Sequence, residues 1–203
     1  CKPGGFHSEP VRPVERALIT HGHAHHARAC HGAVLATQET LAIMRLRSGE
    51  NFAGSTQAIA YGETIRLGDV DVTFHPAGHV LGSAQIAVNH GATRIVASGD
   101  YKDAPDPTCE PFEIVPCDVF ITEATFGLPV FRHGSASNEI AKLLSSVALF
   151  PERAHLVGAY SLGKAQRVIA EIRAAGYDAP IYMHGAMEKI TRYYESRGIN
   201  LGD

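Results

Sequence analysis

An apolar run at residues 17–20 breaks directly into His21-Gly-His23-Ala-His25-His26, and few folds can house four imidazoles at the end of one buried strand. Neutral imidazole is the commonest protein ligand of zinc. Leaving a strand end, residues 21 and 23 point to the same side, so their rings can converge on one ion. A short helix expected over residues 24–30 brings His26 round from another direction. An affinity-tag scar is a homopolymer at a terminus, whereas this cluster is interrupted, internal and anchored to a strand. A metal site fits better than a solvated histidine-rich loop.

Three more stretches repeat this grammar of an apolar strand ending in a polar, metal-capable residue. His75-Pro-Ala-Gly-His79 follows a strand expected at 70–74, Gly99-Asp100 follows one at 93–98, and Glu123 follows one at 119–122. One acid at a strand end means little. Four strand ends carrying His, His, Asp and Glu are what a site on one rim of a sheet requires.

Composition narrows the field. The chain has 203 residues, 45% of them apolar, enough for a real core in one domain or one and part of a second. No apolar run reaches the ~20 residues needed to span a bilayer. Cys1, Cys30, Cys109 and Cys117 form no CxxC pair, which argues against a zinc ribbon or a disulfide framework and for reduced thiols in a cytoplasm. A net charge of −3 gives no basic footprint for nucleic acid by charge alone, although bound divalent cations change that balance locally. The chain begins at Cys1 and stops at Gly202-Asp203 just after a helical pattern, so a fragment is expected.

Along the chain, strands are expected at 34–37, 58–61, 70–74, 83–88, 93–98 and 119–122, with a helix at 38–47 and a hairpin turn at Asn89-His90-Gly91-Ala92. From 138 onward the pattern becomes helix 138–149, strand 155–159, helix 164–175, strand 180–183, helix 187–197, a βαβ rhythm that implies a parallel sheet. The switch places a domain boundary near 127, giving domains 1–126 and 127–203.

Taken in order, Thr20-His-Gly-His-Ala-His-His26, Gly78-His79 with Gly82-Ser83, and Gly99-Asp100-Tyr101 resemble the successive motifs of the metallo-β-lactamase fold. Glu123-Ala-Thr-Phe-Gly127 resembles the first motif of its β-CASP nuclease branch, and Ser161-Leu-Gly-Lys-Ala-Gln166 the helix start that follows. The likeness is strongest to the DNA exonucleases associated with bacterial ATP-dependent DNA ligases. It implies an α/β (α+β) chain: an αββα sandwich, incomplete at its N-terminal strands, with part of a β-CASP-like α/β domain. It also implies two zinc ions, His21, His23 and His79 holding one, Asp100 bridging, and His26 holding the second. The activity implied is phosphodiester hydrolysis by metal-hydroxide attack, in DNA repair, with nucleic acid as partner (DNA favoured over RNA) and a DNA ligase as a candidate associate.

The departures are specific. The family pattern is His-x-His-x-Asp-His, and His25 stands where the Asp belongs, which alters the second metal and the activation of its water. Glu9 stands where the family has an Asp that supports the histidine loop, and a late β-CASP histidine has no counterpart before residue 203. His25, Asp100 and Glu123 are the candidate catalytic residues, Glu123 to orient a histidine or to transfer a proton. His75 is read as structural or as supporting a ligand; His7, His31, His90 and His133 as surface or structural. His184 follows an expected strand and is a weaker candidate for substrate contact.

Gly158-Ala-Tyr-Ser-Leu-Gly163-Lys164-Ala165 nearly satisfies the P-loop pattern but has Ala165 where Mg²⁺ needs a hydroxyl, so an NTPase is disfavoured. A helix start capped by Ser161 with Lys164 beside it can hold a substrate phosphate, or can simply be a capped helix on a sheet. Three rivals stay open: an RNA-processing nuclease, a small-molecule hydrolase of the same fold, and a metal-binding relative without activity.

Overall fold

The computed structural model describes residues 1–202. The chain divides into two compact units, Cys1–Glu123 and the segment from Ala124 onward.

The first unit is built on two sheets. Strands β1 (His7–Ser8), β2 (Arg16–Leu18), β3 (His31–Ala36) and β4 (Ala53–Ala58) form an all-parallel sheet in that order, with helix α1 (Gln38–Ser48) crossing from β3 to β4. Strands β5 (Thr64–Leu67), β6 (Val70–Pro76), β7 (Ala84–His90) and β8 (Thr93–Ala97) run antiparallel, and β9 (Val119–Ile121) adds parallel to β8.

Period-two alternation decides what each face buries. Leu18 and Leu35 from the first sheet meet Val72, Phe74, Ala84 and Ile86 from the second, with Phe6, Ile59 and Val70, in one buried cluster. Their neighbours Ala17, Ile19, Val34 and Ala36 point the other way, onto Leu41 and Met44 of α1 and Phe52. Thr37 caps α1, its Oγ1 accepting from Thr40 N–H, and both threonine hydroxyls donate to Gly82 O at 2.6 and 3.0 Å. That bond set ties the helix start to the loop before β7.

The second unit packs α2 (Ala136–Leu149), α3 (Lys164–Ala174) and α4 (Gly185–Ser196). Its apolar centre takes Leu162, Ile169, Ile190 and the fully buried Tyr194. Gln166 is its buried polar hub: Oε1 accepts from Gly163 N–H, and Nε2 donates to Ser161 O and Thr191 Oγ1.

Several expectations change here. Residues 24–30 make a single turn, with the N–H groups of His26 and Ala27 both donating to His23 O. Cys30 then takes φ +71° and donates to Phe52 O, which turns the chain into β3 before a helix can propagate. The strand expected at 58–61 lies earlier, at 53–58; it is exposed and small-residued, and a Cβ on Gly54 would meet Gly32 O at 2.6 Å, so the close approach of the two strands there requires glycine. Strand β9 forms as expected but as an exposed edge rather than buried. In the second unit, residues 155–159 and 180–183 form no strand among the described residues: no neighbour pairs with their backbone, and Leu156 and Tyr182 are 95% and 94% exposed.

Phe74, fully buried between the sheets, sets the first unit's stability. Phe74→Ala is expected to cost about 3–5 kcal/mol in urea denaturation, whereas Val11→Ala, at a side chain 68% exposed, should stay within about 0.5 kcal/mol.

Candidate metal centre

The histidine loop leaves β2 through Ile19 and Thr20, both buried, so the first ring arrives already enclosed: His21 is 0% exposed. Ala84 N–H donates to Thr20 O at 2.8 Å, pinning this exit to the second sheet. On the opposite side Arg47, at the end of α1, donates to Gly22 O at 2.9 Å. The histidine-bearing turn is therefore held from both flanks.

His79 comes from the β6–β7 connection. Its backbone N–H, and that of Val80, donate to Ser83 Oγ at 3.0 and 3.1 Å, folding a tight turn that aims the ring at the loop. Asp100 comes from the end of β8 through Gly99, whose φ is +57° and whose missing Cβ would lie 2.5 Å from Thr20 Oγ1. Only glycine lets these two strand ends press together.

Four donor atoms then converge. His21 Nε2 and His79 Nε2 lie 3.0 and 3.2 Å from His23 Nδ1, and Asp100 Oδ2 lies 3.7 and 3.6 Å from the same His21 and His79 nitrogens. One ring nitrogen offers one in-plane lone pair or one N–H, so His23 Nδ1 cannot serve two neighbours well by hydrogen bonding. Nitrogens bound ~2.0–2.1 Å from one tetrahedral zinc lie ~3.3 Å apart, close to the spacing seen. The donor set fits a metal ion.

Two more groupings share these residues: Glu9, His21 and His26; and His25, His26 and Asp100. His26 spans both carboxylates, Nδ1 2.8 Å from Glu9 Oε2 and Nε2 3.3 Å from Asp100 Oδ1. Asp100 thus turns one oxygen to each grouping. The exposed His25 ring stacks 5.9 Å from His23 at 8° and sits 4.2 Å from His26.

Charge follows position. Burial, then the neighbouring His26, His79 and His23 rings, hold His21 well below the usual imidazole value. Burial and His23 push His79 down to about 4, against the opposing charges of Asp100 and Glu123. Burial also works against a charge on His26, but hydrogen bonds to Asp100 and Glu9 outweigh it and raise the ring to about 9. The His26 hydrogen bond is the main cause holding Asp100 well below the usual carboxylate range, against burial.

Glu9 has φ +46°, a region costly for a residue with a Cβ, about 1–2 kcal/mol. The carboxylate that this backbone delivers is bound by the Thr20 hydroxyl and by His26. Thr20 also lies 3.0 Å from His21 Nδ1, which links the acid to the buried ring. The sequence reading places Thr20 and Ser83 within the motifs but assigns neither side chain a role, and it gives Arg47 none either.

The other candidates separate from this cluster. Glu123 closes the strand-end set: its N–H donates to Ser98 Oγ at 3.4 Å, and its charge acts on His79. His75 pairs instead with Glu113 at 3.0 Å, and His31 is buried with Nδ1 accepting from Val14 N–H, so both serve the structure. In the second unit, Ser161 does not cap α3. Gly163 does, with its N–H bonded to the Gln166 side chain, while Lys164 stands exposed on the first turn. His184 caps α4, its Nδ1 accepting from Ala186 N–H.

No family model matches this chain. A probable DNA ligase of Opitutus terrae is 31% identical over 195 residues, covering 92% of this chain and 18% of the ligase. An uncharacterized protein in the lig 3′ region of Acidianus ambivalens is 31% identical over 139 residues, 66% of this chain and 93% of that protein. A ribonuclease of Thermus thermophilus is 27% identical over 218 residues, 91% of this chain and 49% of the ribonuclease.

Gly99→Ala is expected to drive Asp100 away from the histidines and weaken divalent-metal binding about 10–100-fold, the range seen when supports of a metal ligand are removed. Competition titration with a chromophoric chelator measures it; unchanged affinity would separate Gly99 from the site.

Proposed function

Because the chain belongs to the β-CASP branch of the metallo-β-lactamase-fold nucleases, we propose that it forms the metal-binding part of a zinc-dependent phosphodiesterase acting on nucleic acid. The observation that carries this reading is the convergence of His21, His23, His79 and Asp100 on one point. The first unit is then the metal-bearing αββα domain and the second part of a β-CASP-like domain, with the boundary near residue 126. The chain spans 18% and 49% of the lengths of the ligase and ribonuclease relatives.

When bound at such a centre, zinc polarises a phosphoryl oxygen and makes water acidic enough to ionise near neutral pH. His21, His23 and His79 would hold the first ion, and Asp100, with an oxygen toward each grouping, would be shared with a second position offered by His26 and His25. Burial keeps His21 and His79 neutral and ready as ligands. Glu9 fixes His26 from behind and Thr20 fixes Glu9. Glu123, on the adjacent strand end, would orient His79 or hold a proton, a role its charge acting on His79 supports.

DNA is the first reading of the substrate, in an exonuclease acting in repair beside a DNA ligase; the name of the Opitutus relative supports it. RNA is the second, supported by the Thermus ribonuclease. No helix among the described residues is long and apolar enough to cross a membrane.

The test uses matched, end-labelled single- and double-stranded DNA and RNA with the zinc-loaded chain. Cleavage is expected that chelation abolishes and that His79→Ala lowers by 100-fold or more, on the order of what loss of a catalytic group removes. His25→Asp, which restores the family's carboxylate, should raise the rate. Equal cleavage by the His79→Ala chain would contradict the assignment.

A further inference from the structure

A recess with a volume of about 400 Å³ opens beside the histidine turn, within the first unit. That lies inside the ~300–1,000 Å³ range of small-ligand sites. Its wall is the turn itself: Ala24, one of the lining residues, stands between His23 and His25. Val11 and Pro13 give it an apolar side, and Cys30 adds an accessible thiol.

Arg12 and Arg28 line the same recess from two separate segments. Both are exposed, and neither forms a hydrogen bond or ion pair among the described residues. No acidic side chain lines the recess among the described residues. The arginines elsewhere in the first unit behave differently: Arg45 pairs with Glu50, Arg66 with Asp71, and Arg47 and Arg94 hold backbone or side-chain oxygens. In a chain of net charge −3, two unpartnered guanidiniums beside an apolar wall form a local positive site. Guanidinium matches phosphate geometrically and stays charged at any working pH, and an apolar wall suits the face of a base or sugar.

We propose that this recess binds a phosphate-bearing nucleotide of the substrate strand, with Arg12 and Arg28 on the phosphate. The proposal rests on the nuclease reading for its substrate. The recess is a positioning site: it fixes the strand, and the backbone of the turn it touches carries the metal ligands.

The test is binding without turnover. Fluorescence anisotropy of a labelled single-stranded oligonucleotide is measured in EDTA, for the full chain and for Arg12→Ala/Arg28→Ala. The double variant should bind about tenfold more weakly or worse, and the slope of log affinity against log salt should fall by about 0.7, for the one phosphate no longer neutralised. Circular dichroism shows that the variant is folded. A mononucleotide, unlike inorganic phosphate at the same concentration, should slow alkylation of Cys30 read by peptide mass spectrometry. With zinc bound, the double variant should raise KM with little change in kcat.

Unchanged oligonucleotide affinity and salt slope would overturn the proposal. So would Cys30 protection by free mononucleotide together with arginine-independent strand binding, since the recess would then serve a free nucleotide. A chain that binds the strand through both arginines and never cleaves it contradicts the nuclease reading and leaves the recess standing. Unaltered cleavage at unaltered KM after both substitutions does the reverse.

Discussion

Imidazole rings packed this tightly can coexist only if most of them stay uncharged. The rings of His23, His26 and His79 all lie within 5.0 Å of the His21 ring, which water does not reach. Burial and mutual repulsion strip the proton from His21 and His79, while Glu9 and Asp100 keep one on His26. Ring nitrogens facing each other at 3.0 and 3.2 Å are a poor hydrogen-bond network and a good ligand set. The arrangement makes chemical sense with a cation at its centre.

The fold supplies the strain-bearing frame for that cluster. Both sheets end at it: β2 delivers His21, the β6–β7 turn delivers His79, and β8 delivers Asp100 across Gly99. Bonds between these ends, Ala84 N–H to Thr20 O and the α1 cap to Gly82 O, run sheet to sheet rather than along one strand. Core packing of Leu18 and Leu35 on Phe74 and Ile86 thereby fixes the separation of ligands that are up to 79 positions apart in sequence (100 − 21). A backbone held at φ +46° in Glu9 is tolerated because its carboxylate is claimed by both Thr20 and His26.

The gathering of His21, His79 and Asp100 was legible because each follows an apolar strand. The same pattern located α1, α2, α3, α4 and the hairpin of β7 and β8 to within a few residues. What escaped has a common cause: no side-chain pattern marks it. Strand β4 consists of small, exposed residues whose pairing depends on Gly54 passing Gly32. The turn after His23 is kept from becoming a helix by a backbone bond from Cys30 to Phe52, on the neighbouring strand entrance. Residues 155–159 and 180–183 have strand-like composition yet no strand partner among the described residues, and a strand exists only in pairs. Thr20, Ser83 and Arg47 act through a few hydrogen bonds that become visible only when distant loops meet.

The most direct measurement is anomalous diffraction at the zinc edge from crystals of the zinc-loaded chain. The expected result is a peak bonded at ~2.0–2.1 Å to His21 Nε2, His23 Nδ1 and His79 Nε2. Asp100 should reach toward a second, weaker peak beside His26 and His25. A folded chain with no anomalous peak among these residues, or with zinc held elsewhere, would contradict the metal centre and the nuclease reading built on it.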